Sequence, residues 1–460
     1  MRFALALLTG LIFVPFDSVF AADPKPTDAP LPIPLTRPEM KQYLEDMKLR
    51  KPRIPLPELT EEDKKKLGDR GQGYEGRLRY HYMPNSGDGR GGSGFSFGPS
   101  GTEATLDNTF KVQLFWIVCR TNNCQYCQGH QESKLLRAGQ KEDEIAALDG
   151  DWKSFTEAQQ AAFAFARKFT YEPNRLNDAD IDGLRKHYKD VEILEMILSM
   201  AGNNAINRWK EGAGVPQSQG GGGFGGKEPA DPTAKHTYLT PTAEKNKTLV
   251  TKVAPLTIDA KTGEPTRQTI CRRPELEPRD VVEKELEKAR ARKPRLPLVD
   301  QDKARAIVPD DFPKGDAPQW VRLLATFPVQ GKARVASQVS ADEKGDLKPL
   351  LKAQVSWIVA RQDRASYATG LAKQRLIALG QSEDQVYKLD GEWKDYTAAE
   401  RAQFTLAKKL AASPVVLTDD DVAAAVKLVG PRDVVQLISY VTTRASFDRI
   451  TESAGLQLEK

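Results

Sequence analysis

The sequence predicts an all-α protein built from two tandem copies of one helical body. Three observations carry this. First, the chain repeats itself: residues 113–120 read QLFWIVCR and 354–361 read QVSWIVAR, while 149–156 read DGDWKSFT and 390–397 read DGEWKDYT, both pairs 241 residues apart. The register continues without a gap through Phe163/Phe404, Leu176/Leu417, Asp178/Asp419 and Arg208/Arg449, so a duplicated unit is the only economical reading. Second, apolar residues in both bodies recur at helical spacing. Third, neither body contains a sustained period-two alternation that would mark a strand.

The N-terminus comes first. Met1-Arg2 is followed by an apolar run from Phe3 to Val14, and Val19-Phe20-Ala21 places small or aliphatic residues at a cleavage point. This pattern predicts a signal peptide over residues 1–21 and an exported, periplasmic or extracellular protein. The run is too short to span a bilayer, and Pro15 and Asp17 interrupt it. Residues 22–109 form a Pro/Gly-rich extension. It holds a charged helical piece, Met40 to Arg50, that stops at Arg-Lys-Pro-Arg, where proline disfavours helix. The same signal recurs 242 residues later, RKPRIPL at 50–56 against RKPRLPL at 292–298.

The first body, 110–216, reads as a series of helices. Phe110 to Arg120 buries Leu114, Ile117 and Val118. Cys124 to Ala138 follows and stops at Gly139, a favourable residue just past a helix end. Glu142 to Leu148 is short. Thr156 with Gln159 three residues on forms a capping box for the Ala-rich helix that follows. Asn177 or Asp178 caps a helix through Tyr188, and Val191 to Trp209 is the most apolar helix of all. Residues 217–280 read as a flexible linker, 281–345 as a second lead-in with a helix at Val281 to Arg292, and 346–460 as the second body. The Gly-rich stretches at 87–101 and 219–226 lack the Gly-Lys-Ser/Thr ending of a phosphate-cradling loop and read as connections.

Composition narrows the function classes. A net charge of +5 over 68 basic and 63 acidic residues is too small a bias for a nucleic-acid partner. No stretch after the N-terminus reaches the length of a membrane span. Chemistry concentrates in the segment Asn-Asn-Cys-Gln-Tyr-Cys-Gln-Gly-His, which places Cys124, Cys127 and His130 at spacings of three along one helical face. A helix N-terminus stabilises thiolate, and an imidazole one turn on can take or return a proton. Zinc would need a fourth ligand, for which only His81 or His187 is at hand, so no metal is expected. A c-type haem is excluded because Gln128, not His, follows the second cysteine. A structural disulfide is the bland alternative. Cys119 lies in an apolar helix and reads as a buried inert thiol, with a Cys119–Cys271 bond as the alternative.

The helix IVCRTNNCQYCQGH, the apolar terminal helix EMILSMAGNNAINRW, and Asn204, Asn207 and Arg208 followed by Gly214-Val215-Pro216 together resemble the carboxymuconolactone decarboxylase and alkyl hydroperoxidase D-like (AhpD-like) superfamily. The resemblance spans Phe110 to Pro216, with a degenerate copy over Leu351 to Gly455. It implies a small helical fold and thiol chemistry without a cofactor. Cys127 would attack, Cys124 resolve, and His130 relay protons, with a hydroperoxide or a thiol/disulfide partner protein as substrate. A decarboxylase-like acid/base reaction through His130, and a non-catalytic protein stapled by its disulfide, are the alternatives. The superfamily's upstream Glu would fall at Val112, which leaves Glu132 or Glu195 as candidate carboxylates. In the second body Cys124, Cys127 and His130 become Ala365, Ala368 and Leu371, so that copy is expected to serve as a built-in packing partner. The resemblance also implies homo-oligomers of such tandem pairs as a possible assembly.

Overall fold

The computed structural model describes residues 29–83, 103–217, 240–266 and 275–459. The expected signal peptide, both Gly-rich stretches and Cys271 lie outside these residues. Among the described residues the protein is all-α, apart from a two-residue antiparallel hairpin, β1 (Thr257–Ile258) with β2 (Pro265–Thr266).

The first lead-in supplies α1 (Arg37–Asp46), α2 (Glu61–Gly71) and α3 (Tyr74–Tyr82). The first body is α4 (Asn108–Asn122), α5 (Gln125–Arg137), α6 (Glu142–Ala147), α7 (Glu157–Tyr171), α8 (Asp178–Arg185) and α9 (Asp190–Ala213). The second lead-in forms α10 (Arg279–Ala291), α11 (Gln301–Arg305), α12 (Gln319–Leu324) and α13 (Pro328–Glu343). The second body repeats the first as α14 (Pro349–Asp363), α15 (Ser366–Ala378), α16 (Glu383–Lys388), α17 (Ala398–Ala411) and α18 (Asp419–Ser453). Helix α18 contains the counterparts of both α8 and α9, joined at Gly430, whose φ of 83° breaks the helical path before Pro431. The capping residues do what the sequence asks of them. Thr156 and Thr397 close capping boxes with Gln159 and Glu400, and Asn177 closes one with Asp180.

The duplication extends to backbone detail. Asn123 and Arg364 turn the chain through the left-handed region at φ 57° and 53°, and Trp152 and Trp393 do so at 61° and 59°. Each pair occupies equivalent positions of the repeat. Such conformations are uncommon outside glycine, so their recurrence reflects one inherited chain path.

The two bodies pack through their terminal helices, α9 against α18. Close approach is allowed by Gly212: a Cβ there would stand 2.8 Å from Ile438 Cγ2 and 3.2 Å from Leu410 Cδ2. The centre of this contact is polar and reciprocal. Arg208 donates to the Ala411 carbonyl at 2.9 Å, and Arg449 to the Thr170 carbonyl at 3.0 Å. Thr170 and Ala411 are themselves equivalent, so each body's arginine satisfies the end of the other body's α7 or α17, where helix carbonyls lack intrahelical partners. Ser413 receives both arginines, at 2.7 and 3.2 Å. This is the arrangement of a two-fold dimer carried out within one chain.

The Arg-Lys-Pro-Arg segments brace the same contact. Arg53 binds the Glu211 carbonyl of its own body and Asp419 of the other, each at 2.5 Å. Arg295 binds the Glu452 carbonyl at 2.5 Å and Asp178 across the interface at 2.8 Å. Beyond these clamps the lead-ins cross over. Ile54 and Leu78 enter the apolar core of the second body, while Val321 and Val335 join the apolar cluster that contains the first body's core, and Arg334 donates to the Leu198 carbonyl at 2.7 Å.

One expectation needs correction here. The stretch 217–280 is not a free linker throughout. Residues around 250 pack on the first body, with Val253 and Ala254 buried, Thr251 N–H donating to Leu35 O at 2.8 Å and Lys252 N–H donating to Asp149 O at 2.9 Å. The polar composition misled because the segment is held through backbone groups and two small apolar residues. The N-terminal extension is tied to the first body as well. Arg37, fully buried, donates to Glu132 at 2.6 Å and to Glu142 at 2.9 Å.

Candidate active site

The site forms where α4 turns into α5. Asn122 ends α4, Asn123 reverses the chain, and Cys124 N–H closes the turn on the Cys119 carbonyl at 3.0 Å. Cys124 then serves as the N-cap of α5, its sulfur accepting from Cys127 N–H at 3.4 Å. The two thiols are 2.7 Å apart and unbonded. Both are buried, as is Cys119, and the three sulfurs form one cluster with Phe115, Tyr126 and Ile206 around them. Cys119 is therefore not an isolated core thiol, as its apolar helix suggested. It is a free thiol at the dithiol, held on its other side by Asn207 Nδ2 at 3.4 Å.

The electrostatics separate the three sulfurs. Burial pushes the Cys119 and Cys124 thiols well up, and their contact with Cys127 adds to it. Burial would raise Cys127 as well, but hydrogen bonds from Cys119 and Cys124 and the positive charge of Lys210 outweigh it and bring that thiol down to about 5. Cys127 is thus drawn toward the thiolate, with the Cys124 S–H, a cation and the N-terminus of α5 favouring its charged form.

Lys210 lies on α9, one turn beyond Asn207. Its ammonium sits 4.5 Å from the centre of the Tyr126 ring and pairs with Glu75. Glu75 comes from α3 in the lead-in, where it also accepts from Trp209 Nε1 at 2.7 Å. Desolvation works against both charges, but Lys210 and Arg79 hold Glu75 down to about 2, and Glu75 and Tyr126 keep Lys210 protonated. One turn further along α5, His130 lies against that ring with centroids 4.6 Å apart. His130 Nε2 is buried without a hydrogen-bond partner. Burial, with Lys210 and Lys134 nearby, lowers its pKa to about 3, so the imidazole is neutral and accepts rather than donates a proton at physiological pH.

Cys124 and Cys127 meet at the start of α5, and His130 lies one turn further along the same helix, against Tyr126. Neither expected carboxylate joins them. Glu132 is committed to Arg37 and to Trp116 Nε1 at 2.8 Å, and Glu195 to Lys111 at 2.8 Å and to Thr105 and Leu106 backbone N–H. They are structural ties, because their oxygens are taken up by these partners. The carboxylates that act electrostatically on the site are Glu75 and Glu211. Glu211 is anchored by Arg50 at 3.0 Å. Asn204 and Asn207 fall beneath the thiols, tied to Asn122 Nδ2 at 2.8 and 3.1 Å. His81 and His187 stay with their neighbouring tyrosines, and among the described residues no group of three or more His, Cys, Asp or Glu is placed to hold a metal ion.

The equivalent place in the second body is filled. Ala360, Ala365 and Ala368 replace the three cysteines. The chain's end lies across it: Leu458 packs on Gly370, where a Cβ would stand 2.2 Å from Leu458 Cδ2, and Glu459 accepts from Tyr367 OH at 2.7 Å. Among the described residues no helix is long and apolar enough to cross a membrane.

No family model matches the chain, and no curated protein matches it. Among solved structures, a crystal structure of a variant of the debrominase Bmp8 in complex with 2,3,4-tribromopyrrole is similar to part of the chain. The likeness covers 40% of this chain and 90% of that one, at 14% sequence identity and a TM-score of 0.30, and at that level it transfers neither a residue role nor a reaction.

Proposed function

We propose that the first body is a thiol-dependent oxidoreductase of an exported protein, with Cys127 as the attacking sulfur, Cys124 as its resolving partner and His130 as a neutral proton acceptor. The observation that carries this is the asymmetric setting of two adjacent free thiols: they stand 2.7 Å apart at the start of α5, Cys124 is the N-cap that accepts from Cys127 N–H, and Cys127 is the one that the Lys210 charge draws toward the thiolate. A staple needs no such asymmetry. A working pair does, because the thiolate is the nucleophile and the other sulfur must stay protonated until it is called on. The resemblance of the IVCRTNNCQYCQGH segment to the thiol-active superfamily supports the same assignment.

The reaction needs no bound cofactor. The Cys127 thiolate attacks the outer oxygen of a hydroperoxide; the S–O bond forms as O–O breaks, and the departing alkoxide takes up a proton. Cys124 sulfur then attacks Cys127, losing its proton, and water leaves as the disulfide forms. A disulfide on a partner protein is the other substrate of this chemistry, through a mixed disulfide at Cys127. The unpartnered, neutral His130 Nε2 favours a second reading, an acid/base lyase in which the thiols are spectators. One substitution separates them. Hydroperoxide consumption driven by dithiothreitol should fall about 100-fold or more in Cys127→Ser. A variant that keeps its turnover removes the thiol reading and leaves the acid/base one.

A further inference from the structure

We propose that Cys119 is a second resolving cysteine, so that oxidised Cys127 closes onto either of two neighbouring thiols, Cys124 in front of it or Cys119 beneath it. This rests on the reading of Cys127 as the attacking sulfur.

Three independent observations converge on Cys119. The first is position. Its sulfur belongs to the same buried cluster as Cys124 and Cys127. The turn that brings it there is built locally, by the left-handed Asn123 and the Cys124 N–H to Cys119 carbonyl bond. The second is its support. Asn207 Nδ2 donates to Cys119 sulfur, and the amide is oriented for this because its Oδ1 accepts from Asn122 Nδ2 at 3.1 Å. A donor aimed at sulfur stabilises the thiolate that attack requires. A buried inert cysteine has no use for one. The third is what the duplication discarded. The second body has lost this donor system with the thiols: Asn122 becomes Asp363, Asn207 becomes Asp448, and all three cysteines become alanine. The apolar neighbours of Cys119 kept their character, Ile117 as Ile358 and Val118 as Val359. Cys119 therefore went with the reactive set and not with the packing set.

The step balances as the first resolution does. Cys127, oxidised by two electrons to the sulfenic acid by a hydroperoxide, is attacked by Cys119 sulfur. The S–S bond forms, the S–O bond breaks, and the hydroxyl leaves as water with the proton from Cys119. An external dithiol returns both sulfurs to thiols. The consequence is that Cys127 stays protected against over-oxidation even when Cys124 is engaged elsewhere, for instance in a mixed disulfide.

The test uses the full chain carrying Cys124→Ala, a change the fold tolerates because Ala365 holds the same N-cap position of α15. Reduced protein is treated with one equivalent of hydrogen peroxide in the presence of dimedone, a sulfenic acid trap, then blocked with N-ethylmaleimide and mapped by mass spectrometry. A linked Cys119–Cys127 peptide pair should dominate. In Cys119→Ala/Cys124→Ala the dimedone adduct at Cys127 should rise about tenfold over the single variant. Dimedone-modified Cys127 beside a free Cys119 in the single variant, or a Cys127–Cys271 link in its place, overturns the proposal while leaving Cys127 as the attacking thiol. Unmodified Cys127 in both variants overturns the thiol reading and this proposal with it.

Discussion

Lys210 is the residue whose removal most directly tests how the site works. It is the one cation that acts on Cys127, Tyr126 and His130 together, and it is held in place from outside the repeat by Glu75. Replacing it with methionine keeps most of the buried stem and removes the charge. Glu75 must be neutralised too, since a buried carboxylate stripped of its ammonium is costly in its own right. The informative variant is therefore Lys210→Met/Glu75→Gln. A unit charge several ångströms away in a partly wet interior contributes about 2–3 kcal/mol at an effective dielectric near 20, which is about 1.5–2 pH units. Cys127, brought down to about 5 with Lys210 present, should titrate near 6.5–7 without it, the remaining depression coming from the Cys119 and Cys124 S–H bonds. The assay is the pH dependence of iodoacetamide alkylation at Cys127, read by peptide mass mapping. The same variant should raise the His130 pKa by less than loss of Lys210 alone, because Lys210 holds it down while Glu75, a smaller influence, holds it up. An alkylation midpoint that stays within about 0.3 units of the parent refutes the argument and leaves the sulfur hydrogen bonds as the whole cause.

The remaining predictions concern reactivity, stability and assembly. Reduced protein should be alkylated first at Cys127, and preferential labelling of Cys124 would reverse their roles. His130 binds its proton in the unfolded chain below its ordinary value of 6.5 but in the folded chain only near 3, so stability falls as pH drops through that window. Relative to His130→Gln, the parent should lose about 2 kcal/mol more between pH 8 and pH 5 in urea titrations, and parallel curves would contradict the cited shift. Arg208→Met should cost about 3 kcal/mol, and Arg449→Met about 4–5 because it also strands the buried Asp363; equal losses would deny the role of that carboxylate. Gly212→Ala should cost about 1–3 kcal/mol by forcing Ile438 and Leu410 off α9, and a neutral result would show slack in the interface. The fragment from residue 22 to 217 should aggregate or dimerise, since Ile54, Leu78, Trp209 and Ala213 all bury against the second body; a stable monomer would refute this.

What the sequence made legible was local. Helix α7 announced itself through Thr156 and Gln159, α8 through Asn177 and Asp180, and the α5 start through the Cys-x-x-Cys spacing, because caps and periodicity are written within a few residues of each other. The parts of the site that stayed hidden are those fixed by distant partners. Glu75 pairs with a lysine 135 residues away, and nothing in YEGRLRYHY hints at it. Lys210 did leave a trace: a Lys-Glu pair near the end of an otherwise apolar helix, where a solvated face is not expected. Cys119 left a clearer one, being replaced by Ala360 just as Cys124 and Cys127 are by Ala365 and Ala368, and the apolar surroundings outweighed it. Glu132 and Glu195 were plausible acids by position along the chain only. Their helix faces turn them toward Arg37 and Lys111, and those two partners, one in the extension and one in α4, decide their role.

The crossing of the lead-ins explains why a body without chemistry is retained with so much of its fold. Three components of the first site are secured by the other half of the chain. Arg208, which hydrogen-bonds Asn204 beneath the thiols at 3.1 Å, is satisfied by Ala411 and Ser413. Asn122, which orients Asn207 toward Cys119, accepts from Ser413 Oγ at 2.8 Å. Helix α3, which carries Glu75 to Lys210, rests on α18 and places Leu78 in the second body's core. In a symmetric dimer each subunit would provide these supports and also bear a site. Here the chain has divided the tasks. The second body keeps the reciprocal arginine, the interface serine and the apolar cradle, and its own site has been closed by Leu458 and Glu459. Loss of reactive residues there removes a second thiol cluster without loosening the first, because the groups that support the thiols across the interface are carbonyls, a hydroxyl and apolar surface, none of which depends on cysteine.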